Sequence, residues 1–406
     1  MRRVSFLPVI FILFISFLLD WYAFQGVSVL ASSLSDDSRA AVYFTFWLVN
    51  IGVLCSFIFN FYKVIPIGKF TLSFNAIFNA FLTLFVTKIV FVMILLAEDI
   101  FRMFLSIISS YPSRSLIFSR IGLLLAAIPF FSFMFGVTRG KYHYKVRKTK
   151  LFFKDLPESF EGFTITQISD IHAGSLDNRK GVQRGIDLIN AQKSDLFVFT
   201  GDLVNNHASE IEPWISAFKK IEAKHGKFSV LGNHDYGDYV RWNSIEQKND
   251  NLNSLKESHA KLGFRLLLDD HVEIEKGGQR IALLGIENWG VGFGQRGNLS
   301  KALKSLEPET FKILLSHDPS HWDAEVKNHP QNIHLTLSGH THGMQFGIEI
   351  FGFKWSPVKY RYPNWAGLAQ YNSRYLYVNR GFGFLGFAGR VGIWPEITVI
   401  ELRKAL

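Results

Sequence analysis

Among 406 residues the chain has one cysteine, Cys55. A single thiol cannot close an internal disulfide, so no disulfide framework holds this fold and nothing in it asks for an oxidising compartment. The chain also lacks charge of one sign where a polyanion would need it. Its formal net charge is +10, yet Lys/Arg and Asp/Glu number 9 and 5 over residues 1–137, 6 and 0 over 138–150, and 29 and 29 over 151–406. A neutral C-terminal region has no electrostatic footprint for nucleic acid, which is therefore not an expected partner. Internal repeats and low-complexity tracts are missing too, apart from the basic run at 138–150, so a repeat architecture is not expected.

What the first third has instead is long apolar runs crowded with phenylalanine. Val4 to Phe24, Ala41 to Tyr62, Leu72 to Ala97 and Ser115 to Val137 can each cross roughly 30 Å of hydrocarbon as a helix. Cations at Arg2 and Arg3, at Lys63 and Lys69, and from Arg139 to Lys150 mark the cytoplasmic ends, and the loops with Asp36, Asp37, Glu98 and Asp99 read as external. The expected organisation is a membrane domain over 1–137, a basic juxtamembrane linker over 138–150, and a domain over 151–406. That domain lies on the cytoplasmic side, of the inner or plasma membrane in a bacterium. Small residues at Val29 and Ala31 also allow a cleaved signal peptide, but the first run is long for one and reads as a retained span. Lys88, near mid-span, is expected to face the helix bundle, and Arg120 to snorkel outward. Ile100 to Tyr111 reads as a short interfacial helix or a loop.

Past Lys150 the pattern changes to short runs rich in branched and aromatic residues, separated by amphipathic stretches, which is an α/β or α+β layout. Expected strands include Phe163 to Ile168, Leu196 to Thr200, Phe228 to Leu231, Lys312 to Leu315 and His334 to Leu337. Each stops at a metal-ligand residue type: Asp170 with His172, Asp202, Asn233-His234-Asp235, His317, and His340 with His342. Loops at strand ends are where such scaffolds build sites. Two residues apart in extended chain, Asp170 and His172 point to one face and can grip one ion; His340 and His342, with the same spacing, supply two imidazoles from one short loop. Glycines at 201, 232, 339 and 343 let the backbone turn and approach without a Cβ in the way. Oxygen and nitrogen donors without thiolate suit Mn(II), Fe or Zn. Seven ligands are too many for one tetrahedral ion and suit two ions about 3.5–4 Å apart.

The ordered series D-x-H, G-D, G-N-H-D, H and G-H-x-H resembles the calcineurin-like metallophosphoesterase family, over about 163–345 and on through Asn379-Arg380-Gly381. The membrane part lies outside that shared core. The resemblance implies two mixed β-sheets packed face to face with helices outside. It implies one divalent metal, Mn first and Fe or Zn next, on Asp170, His172 and His342. A second would sit on Asn233, His317 and His340, with Asp202 bridging. It makes His234 the non-ligand histidine that meets the phosphoryl group or leaving oxygen, and Asp235 the residue that orients its imidazole. The implied reaction is hydrolysis of a phosphoester or pyrophosphate by metal-activated hydroxide. Anchoring suggests a lipid-linked substrate and contact with membrane lipid, and no obligate protein partner is evident. Rival readings are a tethered phosphodiesterase for a soluble nucleotide and a non-catalytic transporter or sensor with a metal-binding domain. Met344 departs from the family's usual second glycine after G-H-x-H-G.

Other segments carry less. Asn205 and Asn206 read as turn residues, and the histidines outside the motifs as packed or solvated, with His207 near enough to Asp202 to reach a rim. Residues 236–256 read as a lid or a solvated helical excursion. Trp289 to Phe293 and Phe382 to Phe387 read as segments that dip into a bilayer or pack on the sheet.

Overall fold

The four apolar runs become α1 (Leu7–Leu30), α2 (Asp36–Ile67), α3 (Leu72–Leu105) and α4 (Leu116–Thr138) in a computed structural model that describes residues 7–67, 71–107 and 112–405. All four are long and apolar enough to cross a membrane. Their outer surfaces expose side chains such as Phe11, Phe44, Leu124 and Phe131, as lipid contact requires. Inside, Ala23, Phe91, Val92, Leu95 and Ala126 form an apolar cluster. Lys88 of α3 faces the bundle, where its ammonium pairs with Asp20 of α1 and donates to Asn50 Oδ1 of α2 at 2.9 Å. Arg120 is exposed. No separate helix begins at Ile100, because α3 continues unbroken through Leu105, with Arg102 paired to Asp99 one turn back at 2.7 Å. Arg2, Arg3, Val4, Lys69 and Tyr111 lie outside the described residues.

The chain divides into two compact units, Met1–Thr138 and Arg139–Leu406. The run expected as a basic linker belongs to the second. Tyr142 is buried and its hydroxyl bonds Asp177 at 2.9 Å, and Lys145–Phe153 is the first strand, β1. The physical reason is the edge of a sheet: β1 has a neighbour on one side only, and a cation-rich edge discourages pairing with other chains. The following strands are β2 (Thr164–Ile168), β3 (Leu196–Thr200), β4 (Lys227–Val230), β5 (Arg265–Leu266), β6 (Asp270–Lys276), β7 (Gln279–Gly285), β8 (Lys312–Leu315) and β9 (Leu335–Ser338). After them come β10 (Ile348–Ile350), β11 (Phe353–Trp355), β12 (Gly367–Tyr371), β13 (Arg374–Val378) and β14 (Glu396–Lys404).

These strands form two six-stranded mixed sheets, β1-β14-β2-β3-β4-β5 and β12-β13-β9-β8-β7-β6, with β10-β11 a separate hairpin. Alternation along the strands explains the layers. Ile165, Val198, Val230 and Ile400 of one sheet and Leu283, Ile313, Leu335 and Tyr377 of the other share a single core, so the sheets pack face to face. The other face of the first sheet carries helix α5 (Arg179–Asn190), whose Val182, Ile186 and Ile189 are buried, and helix Ile245–Lys261, which buries Leu255 and His259. Residues 245–256 are thus a largely solvated helix, anchored to the sheet at its C-terminal end. Trp322, Leu299 and Leu303 cover the second sheet. β2, β3 and β4 run parallel in one sheet and β7, β8 and β9 in the other. The loops after β2, β3, β4, β8 and β9 bring their side chains to one cluster.

Candidate metal centre

The ligand-type residues do not converge through extended chain. Asp170, His172, Asp202, His340 and His342 all have positive φ, from 46° to 70°, so the strands end first and the backbone then turns through left-handed residues. Non-glycine residues seldom adopt this region, and its clustering at sites marks geometry held by the surroundings. Close backbone approach helps. A Cβ on Gly232 would lie 2.2 Å from Asp202 Oδ1, and one on Gly339 would lie 2.5 Å from Asp170 Oδ2.

Two groups of donors result, Asp170 with His172 and His342, and Asp202 with His317 and His340. In the first, His172 Nε2 lies 3.0 Å from His342 Nε2, which lies 3.3 Å from Asp170 Oδ1. In the second, Asn233 Oδ1 lies 2.8 Å from His340 Nδ1 and 3.2 Å from His317 Nε2. Asp202 touches both: its Oδ2 is 3.5 Å from His172 Nε2 and 3.3 Å from His317 Nε2.

The donor set fits a cation. His317 donates its Nδ1–H to the Thr200 carbonyl at 2.7 Å, so its Nε2 lone pair faces the oxygens of Asp202 and Asn233. Asn233 commits its NH2 to the Tyr239 oxygen at 2.7 Å, which turns Oδ1 inward. Lone pairs gathered this way repel unless positive charge lies among them. Burial pushes the imidazoles of His172 to about 3 and His340 to about 4, so both stay neutral with a nitrogen free to ligate. Burial would do the same to His317, but the Asp202 carboxylate overrides it and lifts that ring to about 10. Burial lifts Asp170 to about 7, with the Asp202 charge adding to it. Asp202 itself, despite burial, is held well below the carboxylate range by His317 and His234. A buried, oxygen-rich site that draws a proton onto an imidazole is a site that a divalent cation satisfies.

Asp235 does not orient the His234 ring. Its carboxylate accepts backbone N–H groups from Asp202, Leu203, Val204 and Gly232 at 2.8–3.2 Å, tying the second and third ligand loops together. The His234 ring is fixed by the Asn205 carbonyl, 2.8 Å from Nδ1, and stacks on Tyr239 with centroids 4.4 Å apart. Asn205 also accepts from His172 Nδ1 at 3.1 Å through its side chain, so it serves two histidines. Its place three residues after Asp202 was the available signal. Asp318 is a second unforeseen contributor. Fully buried beside His317, it places Oδ2 3.3 Å from His340 Nε2, and the Tyr362 hydroxyl lies 2.8 Å from the same nitrogen. Arg390, also fully buried, reaches within 3.3 Å of His342 Nδ1.

The aromatic segments fall differently. Phe382 and Phe384 are buried in the core under α5, whereas Phe293 packs edge-on against His340 with centroids 4.6 Å apart. His207 packs on Trp242. Tyr362 also lines a cavity of about 620 Å³ with Val291, Pro319, Asp323, Lys327 and Arg361, a space of mixed polar and apolar lining next to the second donor group.

Residues 163–344 match the family model "Calcineurin-like phosphoesterase", and residues 2–141 match "Probable Calcineurin-like phosphoesterase, transmembrane domain". The "Uncharacterized metallophosphoesterase YkuE" of Bacillus subtilis is 31% identical over 255 residues, which is 61% of this chain and 82% of that protein. A "Transmembrane protein with metallophosphoesterase domain" of Danio rerio is 29% identical over 280 residues, 67% of this chain and 60% of its own length, so the chain spans less than two thirds of that relative. An "Uncharacterized metallophosphoesterase" of Helicobacter pylori (strain J99) is 28% identical over 291 residues, 70% of each chain.

Proposed function

Because the chain belongs to the calcineurin-like metallophosphoesterase family and is a membrane-associated phosphoester hydrolase, we propose that it acts through two divalent cations on a phosphoester or pyrophosphate held at a membrane surface. Asp170, His172 and His342 would hold one cation and Asn233, His317 and His340 the other. The observation that carries this reading is Asp202, whose one oxygen stands within 3.5 Å of a histidine from each group. When bound, the pair would neutralise charge on the phosphoryl oxygens and lower the pKa of a water nucleophile. Mn(II) is the first choice for this oxygen and nitrogen set, with Fe and Zn next.

The chain's own groups supply the rest. His234 donates Nδ1–H to the Asn205 carbonyl, so Nε2 is the ring atom left to exchange a proton, and it is the atom that would meet the leaving oxygen. The Tyr239 ring stacked on it keeps one face from water. The cavity beside Tyr362 gives the leaving group room, with Arg361 and Lys327 on its wall. A phosphorylated headgroup suits this space, and a protein fixed in the membrane meets such headgroups continuously.

Purified full-length protein supplied with Mn(II) and a nitrophenyl phosphoester tests the chemistry. Asp202→Asn and His234→Ala should each lose activity by roughly 10²-fold or more, with insertion into the membrane unchanged. Inactivity of the unaltered protein across Mn, Fe and Zn would overturn the reading. Comparing headgroup analogues with and without acyl chains tests the substrate: equal rates would replace the lipid-linked substrate with a soluble phosphoester.

A further inference from the structure

The hairpin after the metal loop is inside out. Ile348 pairs with Trp355, Glu349 with Lys354 and Ile350 with Phe353, so alternation gives one apolar face and one charged face. In water the charged face should turn outward. Here Glu349 turns in, its carboxylate held by Arg147 at 2.7 Å and Arg380 at 2.8 Å, and the Lys354 ammonium donates to the Ala366 carbonyl at 2.6 Å. The outward residues are Ile348, Ile350 and Phe353, with relative exposures of 47%, 55% and 62%. Lys354 is itself exposed, but burying the apolar face by a shift of one residue would still turn Glu349 outward and break these three contacts, so the orientation is specified.

The turn is equally unsuited to water. Phe351 and Gly352 have φ of 49° and 84°, a tight turn whose first position favours Asn, Asp or Gly. Phenylalanine there takes an unfavourable backbone conformation, and its ring is fully exposed. Neither the turn nor the solvent accounts for it. In the sequence on either side of the hairpin, Met344 and Tyr360 are exposed as well, as are Lys359 and Arg361. The hairpin's one acid is already paired with two arginines, so the remaining charges in the hairpin and the turn that follows it, Lys354, Lys359 and Arg361, are all cationic.

Exposed aromatic and aliphatic side chains with cations close by in the sequence have the chemistry of a membrane interface, where apolar groups reach the acyl boundary and cations meet anionic headgroups. A bilayer is also the surface this chain always has at hand, through its own four spans. We propose that the tip of hairpin Ile348–Trp355, Phe351 with Ile350 and Phe353, inserts into the headgroup boundary of an anionic bilayer and so brings the metal centre to that surface. The link to the centre is short: the Ser356 hydroxyl, next after β11, donates to the Gly343 carbonyl at 2.8 Å, one residue past His342. Insertion itself does not depend on the phosphohydrolase reading; only its service to the substrate rests on that reading.

The test uses full-length protein carrying Cys55→Ser and Phe351→Cys, labelled with an environment-sensitive fluorophore and reconstituted into phosphatidylcholine vesicles with or without phosphatidylglycerol. A matched label at Glu309→Cys, an exposed position away from the hairpin, is the control. The expected result is a blue-shifted emission at 351, quenched by nitroxide on lipid acyl chains and shielded from aqueous iodide, more so with phosphatidylglycerol. The label at 309 should behave oppositely. Iodide access at 351 equal to that at 309 overturns the proposal. So does shielding from iodide without quenching by lipid nitroxide, the outcome expected if a second copy or another protein covers the tip. Ile350→Cys repeats the measurement should the first label disturb the turn, and equal melting temperatures certify both. No turnover is read, so a negative result leaves the phosphohydrolase reading standing, and an inactive enzyme leaves insertion standing.

Discussion

His340 has both ring nitrogens engaged: Nδ1 faces Asn233 and His317, and Nε2 faces Asp318 and Tyr362. A carboxylate behind a ligating imidazole fixes its orientation and strengthens it as a donor. Asp318→Asn is therefore expected to weaken Mn(II) binding about 10–100-fold, measured by titrating metal-stripped full-length protein. Unchanged affinity would mean that Tyr362 alone sets the ring. His259 makes a separate prediction, about stability. Its Nδ1 lies 2.9 Å from the Ser229 hydroxyl, and burial lowers its pKa from the ordinary 6.5 to about 3. The unfolded chain thus takes up a proton near pH 6.5 that the folded chain refuses until about pH 3. Stability from this group is complete above the unfolded value and falls as pH drops toward the folded one, by up to about 1.4 kcal/mol per pH unit. Unfolding midpoints of the unaltered protein and His259→Gln, compared from about pH 7 to about pH 5, should show a shallower dependence in the variant. Parallel slopes would assign the acid sensitivity to other groups.

Within the elements, the motif loops were legible because strand-end patterns and short motifs are local. The reason their side chains converge was not: left-handed conformations at Asp170, His172, Asp202, His340 and His342 depend on neighbours from other strands. Asp235 illustrates the same limit, since its adjacency to His234 suggested that ring as its partner, whereas its carboxylate takes the Gly232 N–H and three N–H groups of a loop more than 25 residues earlier in the chain. In the membrane helices Lys88 stood out by charge, while Asp20 was hidden within an apolar run. The two form a pair packed among α1, α2 and α3, with side-chain exposures of 13% and 5%. Removing one partner of a buried pair strands the other, at about 3–5 kcal/mol, whereas replacing both with apolar groups costs little. Lys88→Met should lower the unfolding midpoint in detergent, and adding Asp20→Leu should restore much of it. If the single variant unfolds like the unaltered protein, the pair does not hold the helices together.

For the whole molecule, the division between membrane helices and an αβ layer structure could be read from hydropathy and periodicity, and so could β3 and β8, whose residues were anticipated to the end. β1 was not, because its alternating lysines and arginines read as a membrane flank, and β14 and the hairpin were passed over. All three depend on tertiary partners. Placing the catalytic unit in the cytoplasm remains a proposal, supported by Lys63 at the inner end of α2 and by the cations after α4. A membrane-impermeant maleimide should label Glu309→Cys, in the Cys55→Ser background, only after cells are opened; labelling of intact cells would invert the topology. The pairing of β1 with β14 has a consequence for synthesis. β1 is translated straight after α4, yet every one of its ladder partners, Glu396 to Lys404, leaves the ribosome about 250 residues later. Throughout that interval a cation-rich strand waits unpaired while the rest of both sheets is made, and a stop codon ahead of β14 would leave it waiting permanently.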